Sequence, residues 1–314
     1  MLFSTLDKIC LLMIYSKWIE ISILNARVMK VKRILIVPNL SRDPDLSYTN
    51  QVLRCLSGRA EILADESFQT LLPGLCGYVT KESKNAYDMI LVLGGDGTLL
   101  SVAEKAAKDN IPLLGINLGH VGFLSQIEKD EIEESLGKLL AGEYTIEERI
   151  MLRGTLTRAN GEVLSFDSLN DIVVSRSMST RLIELSICIN GEYVDDYKAD
   201  GMIIATPTGS TAYSMSAGGP ILDPKVKSFV ITPICPHKLY ARTIVVPDDS
   251  EITMTISCDI PRPAAIASDG QENALFSFGD TLSLKRSDYT ARLIKIHNSR
   301  FYSMLHHKLL GKEK

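Results

Sequence analysis

The stretch that decides the fold runs Asp88-Met-Ile-Leu-Val-Leu93, then Gly94-Gly95-Asp96-Gly97-Thr98, then Leu99-Leu-Ser-Val-Ala-Glu-Lys-Ala-Ala-Lys108. Its first part is a continuous apolar run, which is typical of a strand buried on both faces. Its last part is rich in residues with high helix propensity. A buried strand, a glycine-rich connection and a helix together predict a ligand site at the carboxyl end of a parallel sheet.

The flanking residues repeat this alternation. Arg33 to Pro38 is another apolar strand, ended by proline, and residues 47–57 carry apolar side chains at helical spacing. Ile111 to Asn117 predicts a third strand, and residues 129–140 predict a second amphipathic helix. We therefore expect the first half of the chain to be an α/β domain with a parallel, Rossmann-like sheet.

The second half changes character near residue 147. Asn160-Gly161 and Asn190-Gly191 each lie between runs of β-branched and apolar residues. Asn-Gly predicts a hairpin because both residues tolerate the positive φ of a type I′ turn. Residues 251–256 alternate at period two, and a Gly279-Asp280 turn precedes another strand. We expect a mainly antiparallel β domain that shares a broad interface with the first.

Composition excludes several classes of protein. The chain has 314 residues, of which 45% are hydrophobic and 23% charged, and its net charge is −4. These values argue against disorder and a membrane protein, and the negative charge argues against a nucleic-acid partner. Six scattered cysteines without a CxxC pair predict free thiols in a reducing compartment.

Gly94 to Thr98 is the first cluster that carries chemistry. Its glycines let the backbone approach a ligand closely and reach φ values closed to other residues, and N–H groups at a helix N-terminus bind phosphate. Asp96 would be repelled by phosphates unless it accepts a proton or faces a metal ion. The alternative is a tight turn in which Asp96 caps the helix. The P-loop and dinucleotide-binding glycine fingerprints do not occur in this sequence.

Thr206 to Thr211 is the second cluster, in which five of six residues are Thr, Ser or Gly. Such a stretch packs poorly in a core but offers hydroxyls and backbone donors to an anion or a sugar. Tyr213 adds an aromatic face with a polar tip, which suits a base or a ribose. The apolar run at 202–205 and Gly218-Gly219-Pro220 flank the cluster and favour a loop held in place over a solvent-exposed one.

The two clusters together resemble the bacterial NAD kinases. Phosphofructokinases and diacylglycerol or sphingosine kinases carry close versions of the first cluster, whereas Thr206-Pro-Thr-Gly-Ser-Thr-Ala-Tyr213 is much more specific. Three further stretches match in order: Asn117-Leu-Gly-His-Val-Gly-Phe-Leu124, Asn170-Asp171 and Pro233-Ile-Cys-Pro-His237. The resemblance covers residues 30 to 300. It implies an enzyme that transfers the γ-phosphoryl group of ATP to the 2′-hydroxyl of the adenosine ribose of NAD.

The resemblance implies a role for each matching residue. Asp96 would be the general base for the ribose 2′-hydroxyl, and Phe123 would line the adenine pocket. Asp200 would lie near the nicotinamide carboxamide. The phosphate-binding residues would be Gly94, Gly95, Gly97 and Thr98. The residues that contact the adenosine part of NAD would be Asn170, Asp171, Thr211, Ala212, Tyr213 and Ser216, and those near the donor would be Asp269 and Gln271.

One position departs from the family pattern. Many relatives carry Arg two residues before Asp200, whereas this chain has Lys198. Lysine keeps the charge but loses bidentate phosphate geometry, which bears on the affinity for phosphate and not on the reaction class. We count Lys198 among the substrate-binding residues.

The resemblance also implies the cofactor and the partners. The glycine-rich loop has no lysine, so Mg²⁺ or another divalent cation is expected to neutralise the triphosphate of ATP, without an assigned protein ligand. NAD and ATP would be the small-molecule substrates of a cytoplasmic homodimer or homotetramer with no nucleic-acid or membrane partner. Polyphosphate as donor and NADH as acceptor remain open.

Four segments follow from these patterns. Residues 1–28, whose apolar run is too short and too charged to span a bilayer, are expected to be an extension outside the fold. Residues 29–146 would form the α/β nucleotide-binding domain and 147–296 the β-rich NAD-binding domain. The basic tail, 297–314, predicts a solvated helix that packs back on the first domain.

Two other functions remain open from the sequence. A lipid kinase of the diacylglycerol or sphingosine type would need an apolar acceptor pocket, which the Thr- and Ser-rich second cluster does not favour. A dinucleotide-binding sensor without turnover would gain nothing from the Asp96 carboxylate beside phosphates. The Asp96 position therefore discriminates between an enzyme and a sensor.

Overall fold

The computed structural model describes residues 31–75, 77–80, 83, 86–119, 122–177, 181–238, 240–257, 264–296 and 301–310. The expectation for residues 1–28 falls outside these ranges, as do residues 120 and 121 of the stretch 117–124. The helices are α1 (Ser47–Leu56), α2 (Asp96–Lys108), α3 (Ile132–Ala141), α4 (Tyr213–Ser216) and α5 (Phe301–Leu310). No helix within the described ranges is long and apolar enough to cross a membrane.

The strands of the first half are β1 (Arg33–Pro38), β2 (Glu61–Asp65), β3 (Gly77–Val79), β4 (Met89–Gly94), β5 (Leu113–Asn117) and β6 (Ile127–Glu128). Those of the second half are β7 (Thr145–Thr157), β8 (Val163–Ser168), β9 (Asp171–Arg176), β10 (Ile183–Ile189), β11 (Glu192–Ala199), β12 (Gly201–Ala205), β13 (Ser228–Ile234), β14 (Ile244–Pro247), β15 (Ile252–Ile256), β16 (Ala264–Ser268), β17 (Gln271–Phe276) and β18 (Thr281–Lys295).

The first half is a parallel sheet with helices on both faces, which confirms the predicted α/β class. Its strands lie in the order β3-β2-β1-β4-β5, and neighbouring strands are parallel. Side chains alternate along each strand, so Ile34 and Ile36 pack with α1 and α3 while Leu35 packs with Leu99 and Ala103 of α2. The strand order reverses direction between β1 and β4, where ligands of such sheets bind.

The long strand β18 joins this sheet to the second half of the chain. It is parallel to β5 at Leu293 and Leu113 and antiparallel to β7 and β15. Ile294, near the end of β18, belongs to the core that packs with α1 and α3. Leu282 and Leu284, near its start, belong to the core of the second half. The local patterns did not predict this shared strand, because nothing in a strand's own sequence names its distant partner.

The second half is mainly antiparallel, as predicted. The strands β14-β13-β12-β9-β16-β17 form a second sheet, in which every pair of neighbours is antiparallel. Its inner face packs on β7, β10, β15 and β18 through an apolar core that includes Val174, Ile204, Phe229, Ile266 and Leu284. The second sheet and the strands β7, β10, β15 and β18 therefore each bury one face against the other.

The two Asn-Gly turns differ. Asn190 and Gly191 have φ values of 53° and 80°, which is the predicted type I′ turn. At the other turn only Gly161 has a positive φ, of 87°, so the type I′ prediction is wrong there. The side-chain oxygen of Asn160 accepts a hydrogen bond from the Glu162 N–H at 3.0 Å, an Asx turn that holds a wider loop.

The C-terminal helix α5 is not wholly solvated, because its first turn packs on the first half of the chain. Phe301 is buried, and its ring centroid lies 6.1 Å from that of Phe123. The neighbouring Tyr302 donates a hydrogen bond from its hydroxyl to Asp223 at 2.8 Å. The first residues of α5 therefore contact both the segment after β5 and the segment after α4.

A buried carboxylate fixes the strand β18 to its neighbours. Asp167 on β8 pairs with Arg153 of β7 at 3.0 Å and accepts a hydrogen bond from Ser287 of β18. The same arginine pairs with Asp288, whose side chain is 85% exposed. One guanidinium thus has a buried and an exposed carboxylate partner.

We expect Asp167→Ala to lower the free energy of unfolding by about 3 kcal/mol, because it leaves Arg153 and Ser287 without their buried partner. Asp288→Ala is the matched control and should cost less than about 1 kcal/mol. Urea denaturation of both variants measures the difference. Equal losses in the two variants would contradict the importance of the buried pair.

Candidate active site

Helix α2 begins at Asp96, directly after β4 ends at Gly94. Gly95 is its N-cap, with extended backbone angles of φ −116° and ψ −174°. None of Gly94, Gly95 and Gly97 has a positive φ, so the expectation of special φ values at these glycines is wrong. At position 94, lack of space requires glycine. A Cβ at Gly94 would lie 2.4 Å from the Thr98 hydroxyl, whereas nothing lies within 4 Å of a Cβ at Gly95 or Gly97.

The Asp96 carboxylate does not cap its own helix. It accepts hydrogen bonds from three backbone N–H groups of the segment after β5, at Phe123 (2.7 Å), Leu124 (3.2 Å) and Ser125 (3.4 Å). The helix-cap alternative is therefore wrong, since Gly95 occupies the cap position without a side-chain bond. Asp96 and Phe123 are brought together although they lie 27 residues apart.

Asn39 belongs to the same edge of the sheet and was missed by the sequence patterns. It follows β1, and its Nδ2 donates to the Thr98 hydroxyl at 2.7 Å, while its N–H donates to the Leu93 carbonyl. Position alone could have identified it, because it directly follows the strand beside β4 at the point where the strand order reverses.

Asn170 and Asp171 are held by the late residue Asp269. The Asp269 carboxylate accepts hydrogen bonds from the N–H groups of Leu169, Asn170 and Asp171 and from the Ser168 hydroxyl. Asp269 has a φ of 47°, the left-handed conformation that Asp tolerates better than most residues. The structure thus joins three of the sequence candidates into one cluster.

This cluster contains one buried polar atom without a protein partner. The side-chain oxygen of Asn170 is buried and accepts no hydrogen bond. Burial, and after it the charge of Asp269, raises the pKa of Asp171 to about 7. Burial also raises the pKa of Asp269, although the hydrogen bonds from residues 168–171 act in the opposite direction. A buried acceptor and a buried carboxyl group are costly to keep unless a ligand pairs with them.

The second cluster folds against Asn170 and is not a solvent-exposed loop. Thr206 is buried and donates from its hydroxyl to the Leu169 carbonyl at 2.6 Å, and its N–H donates to the Asn170 carbonyl. A Cβ at Gly209 would lie 2.1 Å from that same carbonyl oxygen. Only glycine allows this approach at position 209.

The buried side chain of Arg149 holds the second cluster in place, and the sequence patterns also missed this residue. It is buried, and its Nη1 donates to the Thr208 hydroxyl at 3.1 Å, while Nη2 pairs with Glu147. Beyond this anchor the side chains turn outward. Tyr213 is 47% exposed, Ser216 is exposed, and Thr211 and Ala212 are half-buried.

Lys198 and Asp200 lie at the end of β11. The Asp200 carboxylate pairs with the Arg176 guanidinium at 2.8 Å, so a guanidinium is present beside Asp200 although position 198 is lysine. Lys198 is exposed, and its carbonyl accepts a hydrogen bond from the His237 N–H. Gln271 is likewise exposed.

Apolar packing links the two glycine-rich clusters. Leu99 of α2, Leu124 beside Phe123 and Leu169 beside Asn170 share one core cluster. Among the described residues, no group of three or more His, Cys, Asp and Glu side chains is placed to hold a metal ion. The arrangement offers a helix N-terminus with open space for phosphates, an oriented carboxylate at Asp96 and one buried acceptor without a protein partner at Asn170.

Two family models match the chain. The ATP-NAD kinase N-terminal domain matches residues 34–144, and the ATP-NAD kinase C-terminal domain matches residues 169–296. The NAD kinase of Thermoanaerobacter sp. strain X514 is 40% identical over 284 residues, which cover 89% of this chain and 99% of that protein. The NAD kinase of Carboxydothermus hydrogenoformans is 45% identical over 76% of this chain and 86% of that protein.

Two solved structures share the fold at 24% identity. A yeast NADH kinase complexed with NADH has a TM-score of 0.80 and covers 91% of this chain and 89% of its own. An NAD kinase from Archaeoglobus fulgidus in complex with ATP has a TM-score of 0.66 and covers 88% of this chain and 98% of its own. With both domain models matched in order and relatives at this identity over most of the sequence, the chain belongs to the NAD kinase family.

Proposed function

We propose that the chain transfers the γ-phosphoryl group of ATP to the 2′-hydroxyl of the adenosine ribose of NAD, with Asp96 as general base. The observation that carries the proposal is the Asp96 carboxylate held by three N–H groups at the mouth of a phosphate-binding helix terminus. That carboxylate also keeps one acceptor position free for a proton, which binding of the dinucleotide alone does not require.

The phosphate subsite is the start of α2. A side chain at Gly95 or Gly97 would project into open space, so phosphate oxygens can approach the N–H groups of this turn. The helix dipole adds a positive potential at the same place. Gly94 and Thr98 keep the turn closed, since Thr98 is bonded to Asn39. Alignment of the donor is the main contribution of these residues.

The base step follows from the lone pairs of Asp96. A carboxylate has about four acceptor positions, and the N–H groups of residues 123–125 occupy three. The remaining acceptor position takes the proton of the 2′-hydroxyl while the oxygen of that hydroxyl attacks the γ-phosphorus. The bond from that phosphorus to the bridging oxygen breaks, ADP leaves, and NADP is formed.

The acceptor subsite is the cluster around Asn170. Its unpaired buried oxygen suits a hydroxyl or amino donor of adenosine, and Asp171 suits a ribose hydroxyl. Asp269 was expected near the donor, but its carboxylate is occupied by residues 168–171. We therefore propose that it acts on the acceptor side, through Asn170 and Asp171. Lys198 and Asp200 would lie toward the nicotinamide, and Gln271 would lie toward the donor. The other residues that we expect to contact adenosine are Phe123, Thr211, Ala212, Tyr213 and Ser216.

A divalent cation fits this site as part of the donor. The described residues group no three carboxylate, thiol or imidazole ligands, and Mg²⁺ commonly enters such sites on phosphate oxygens and water. When bound, the ion neutralises the triphosphate. We further propose that 29–146 and 147–296 are the two domains, and that the enzyme is a cytoplasmic homodimer or homotetramer.

We expect Asp96→Asn to lower kcat by about 10²–10⁴-fold, because asparagine cannot take up the hydroxyl proton. An end-point assay with ATP, Mg²⁺ and NAD, in which an NADP-specific dehydrogenase detects the product, measures the loss. Calorimetric titration with NAD should show binding close to that of the unaltered protein. Turnover at the unaltered rate would contradict the base role, and no turnover in the unaltered protein would favour a sensor.

We expect Asp171→Asn to stabilise the protein above pH 7 and to have little effect near pH 4. The folded-state pKa of Asp171 is about 7, above the unfolded value of about 3.9. The folded protein therefore binds an extra proton in this window and loses the associated stability as the pH rises through it. Asparagine resembles the neutral carboxyl group and avoids the loss.

The measurement is the melting temperature of both proteins between about pH 4 and pH 8. Asp288→Asn is the control, because it makes the same chemical change at an exposed side chain. A difference between Asp171→Asn and the unaltered protein that stays constant over this range would contradict the raised pKa.

A further inference from the structure

Gly122 lies against the carboxylate of Asp96. A Cβ built at this glycine would be 2.1 Å from Oδ1, 2.7 Å from Cγ and 3.0 Å from Oδ2 of Asp96. Real Cβ atoms do not approach other heavy atoms so closely. Gly122 is not among the residues with positive φ, so backbone conformation does not require glycine here. The space taken by the Asp96 carboxylate does.

We propose that Gly122 is a positioning residue of the phosphoryl transfer, which rests on the proposed role of Asp96 as the base. The missing side chain lets the carboxylate enter the curve of residues 123–125 and accept all three N–H bonds. Any side chain at position 122 occupies the place of Oδ1. Gly122 therefore acts through Asp96 and not through contact with a substrate.

The segment that carries Gly122 cannot simply move aside. On one side, a Cβ at Gly115 of β5 would lie 3.1 Å from the Ser125 Cα. The backbone of β5 and the segment around Ser125 are therefore already in close contact. On the other side, the Phe123 ring packs against the buried Phe301 of α5. The end of the Asp96 side chain is the more flexible group, so a methyl group at position 122 should displace the carboxylate.

The displacement has a kinetic consequence. The carboxylate must retreat by about 1 Å to restore ordinary contact, and a misplacement of this size costs on the order of 10²-fold in rate. The helix N-terminus at Gly95 and Gly97 and the acceptor cluster at Asn170 are not touched by the change. Gly122→Ala should therefore lower kcat by about 10²-fold and leave KM for ATP and NAD within about threefold.

A double-mutant cycle separates action through Asp96 from general damage. Asp96→Ala removes the carboxylate that collides with the new methyl group. We expect Gly122→Ala to lower the melting temperature in the presence of Asp96 and to lower it much less in the Asp96→Ala background. If Gly122→Ala alone fails to fold, the double variant should fold. Equal losses of melting temperature in both backgrounds would overturn the proposal.

The activity measurements complete the test. In the Asp96→Ala background, Gly122→Ala should cause no further fall in kcat, because the group through which it acts is already absent. Gly137→Ala is the control, since nothing lies within 4 Å of a Cβ at this helical position, and it should leave kcat unchanged. An unaltered kcat in Gly122→Ala, or a rise in KM alone, would overturn the positioning role.

The stability cycle does not depend on turnover. If the unaltered protein formed no NADP, the proposed function would fail, while coupling between positions 96 and 122 would still show that Gly122 places the carboxylate. Turnover without such coupling would leave the proposed function intact and overturn the inference about Gly122.

Discussion

The contact between the Asp96 carboxylate and the backbone of residues 123–125 connects the two ends of neighbouring strands. Asp96 follows β4 and the N–H groups follow β5, and these strands are parallel neighbours. Three hydrogen bonds to one ionised group hold the helix start and the following segment in one arrangement. The position of the Asp96 carboxylate, which we propose as the base, depends on that arrangement.

The cluster around Asn170, which we propose as the acceptor side of the site, is maintained at a cost in stability. Asp171 and Asp269 are both buried, and burial raises the pKa of each carboxyl group. The side-chain oxygen of Asn170 has no hydrogen-bond partner in the protein. A sequence selected only for stability would place apolar or paired groups here. The Asp269 bonds to residues 168–171 limit the cost and fix the backbone that presents Asn170 and Asp171.

Much of the fold could be predicted from the sequence because its signals are local. The apolar run at 89–94 and the helix formers after Asp96 specify a strand and a helix by their own composition. The path of β18, the burial of Phe301 and the bond from Phe123 to Asp96 involve partners distant in sequence, which periodicity does not identify. At Asn160-Gly161 the dipeptide alone did not predict the turn type, because the Asn160 side chain accepts a hydrogen bond from the Glu162 N–H and holds a turn other than type I′. Arg149 was missed because a single polar residue within a strand carries no pattern, whereas the position of Asn39, directly after a strand, was a usable signal.

In the proposed reaction, Asp96 takes the proton of the acceptor hydroxyl. The most direct test is a crystal structure of the protein with NAD and a non-hydrolysable ATP analogue. If Asp96 is the base, the adenosine 2′-hydroxyl should lie within about 2.6–3.2 Å of an Asp96 carboxylate oxygen, with the N–H bonds of residues 123–125 retained. A 2′-hydroxyl directed away from Asp96, with the 3′-hydroxyl or no hydroxyl in reach, would contradict it.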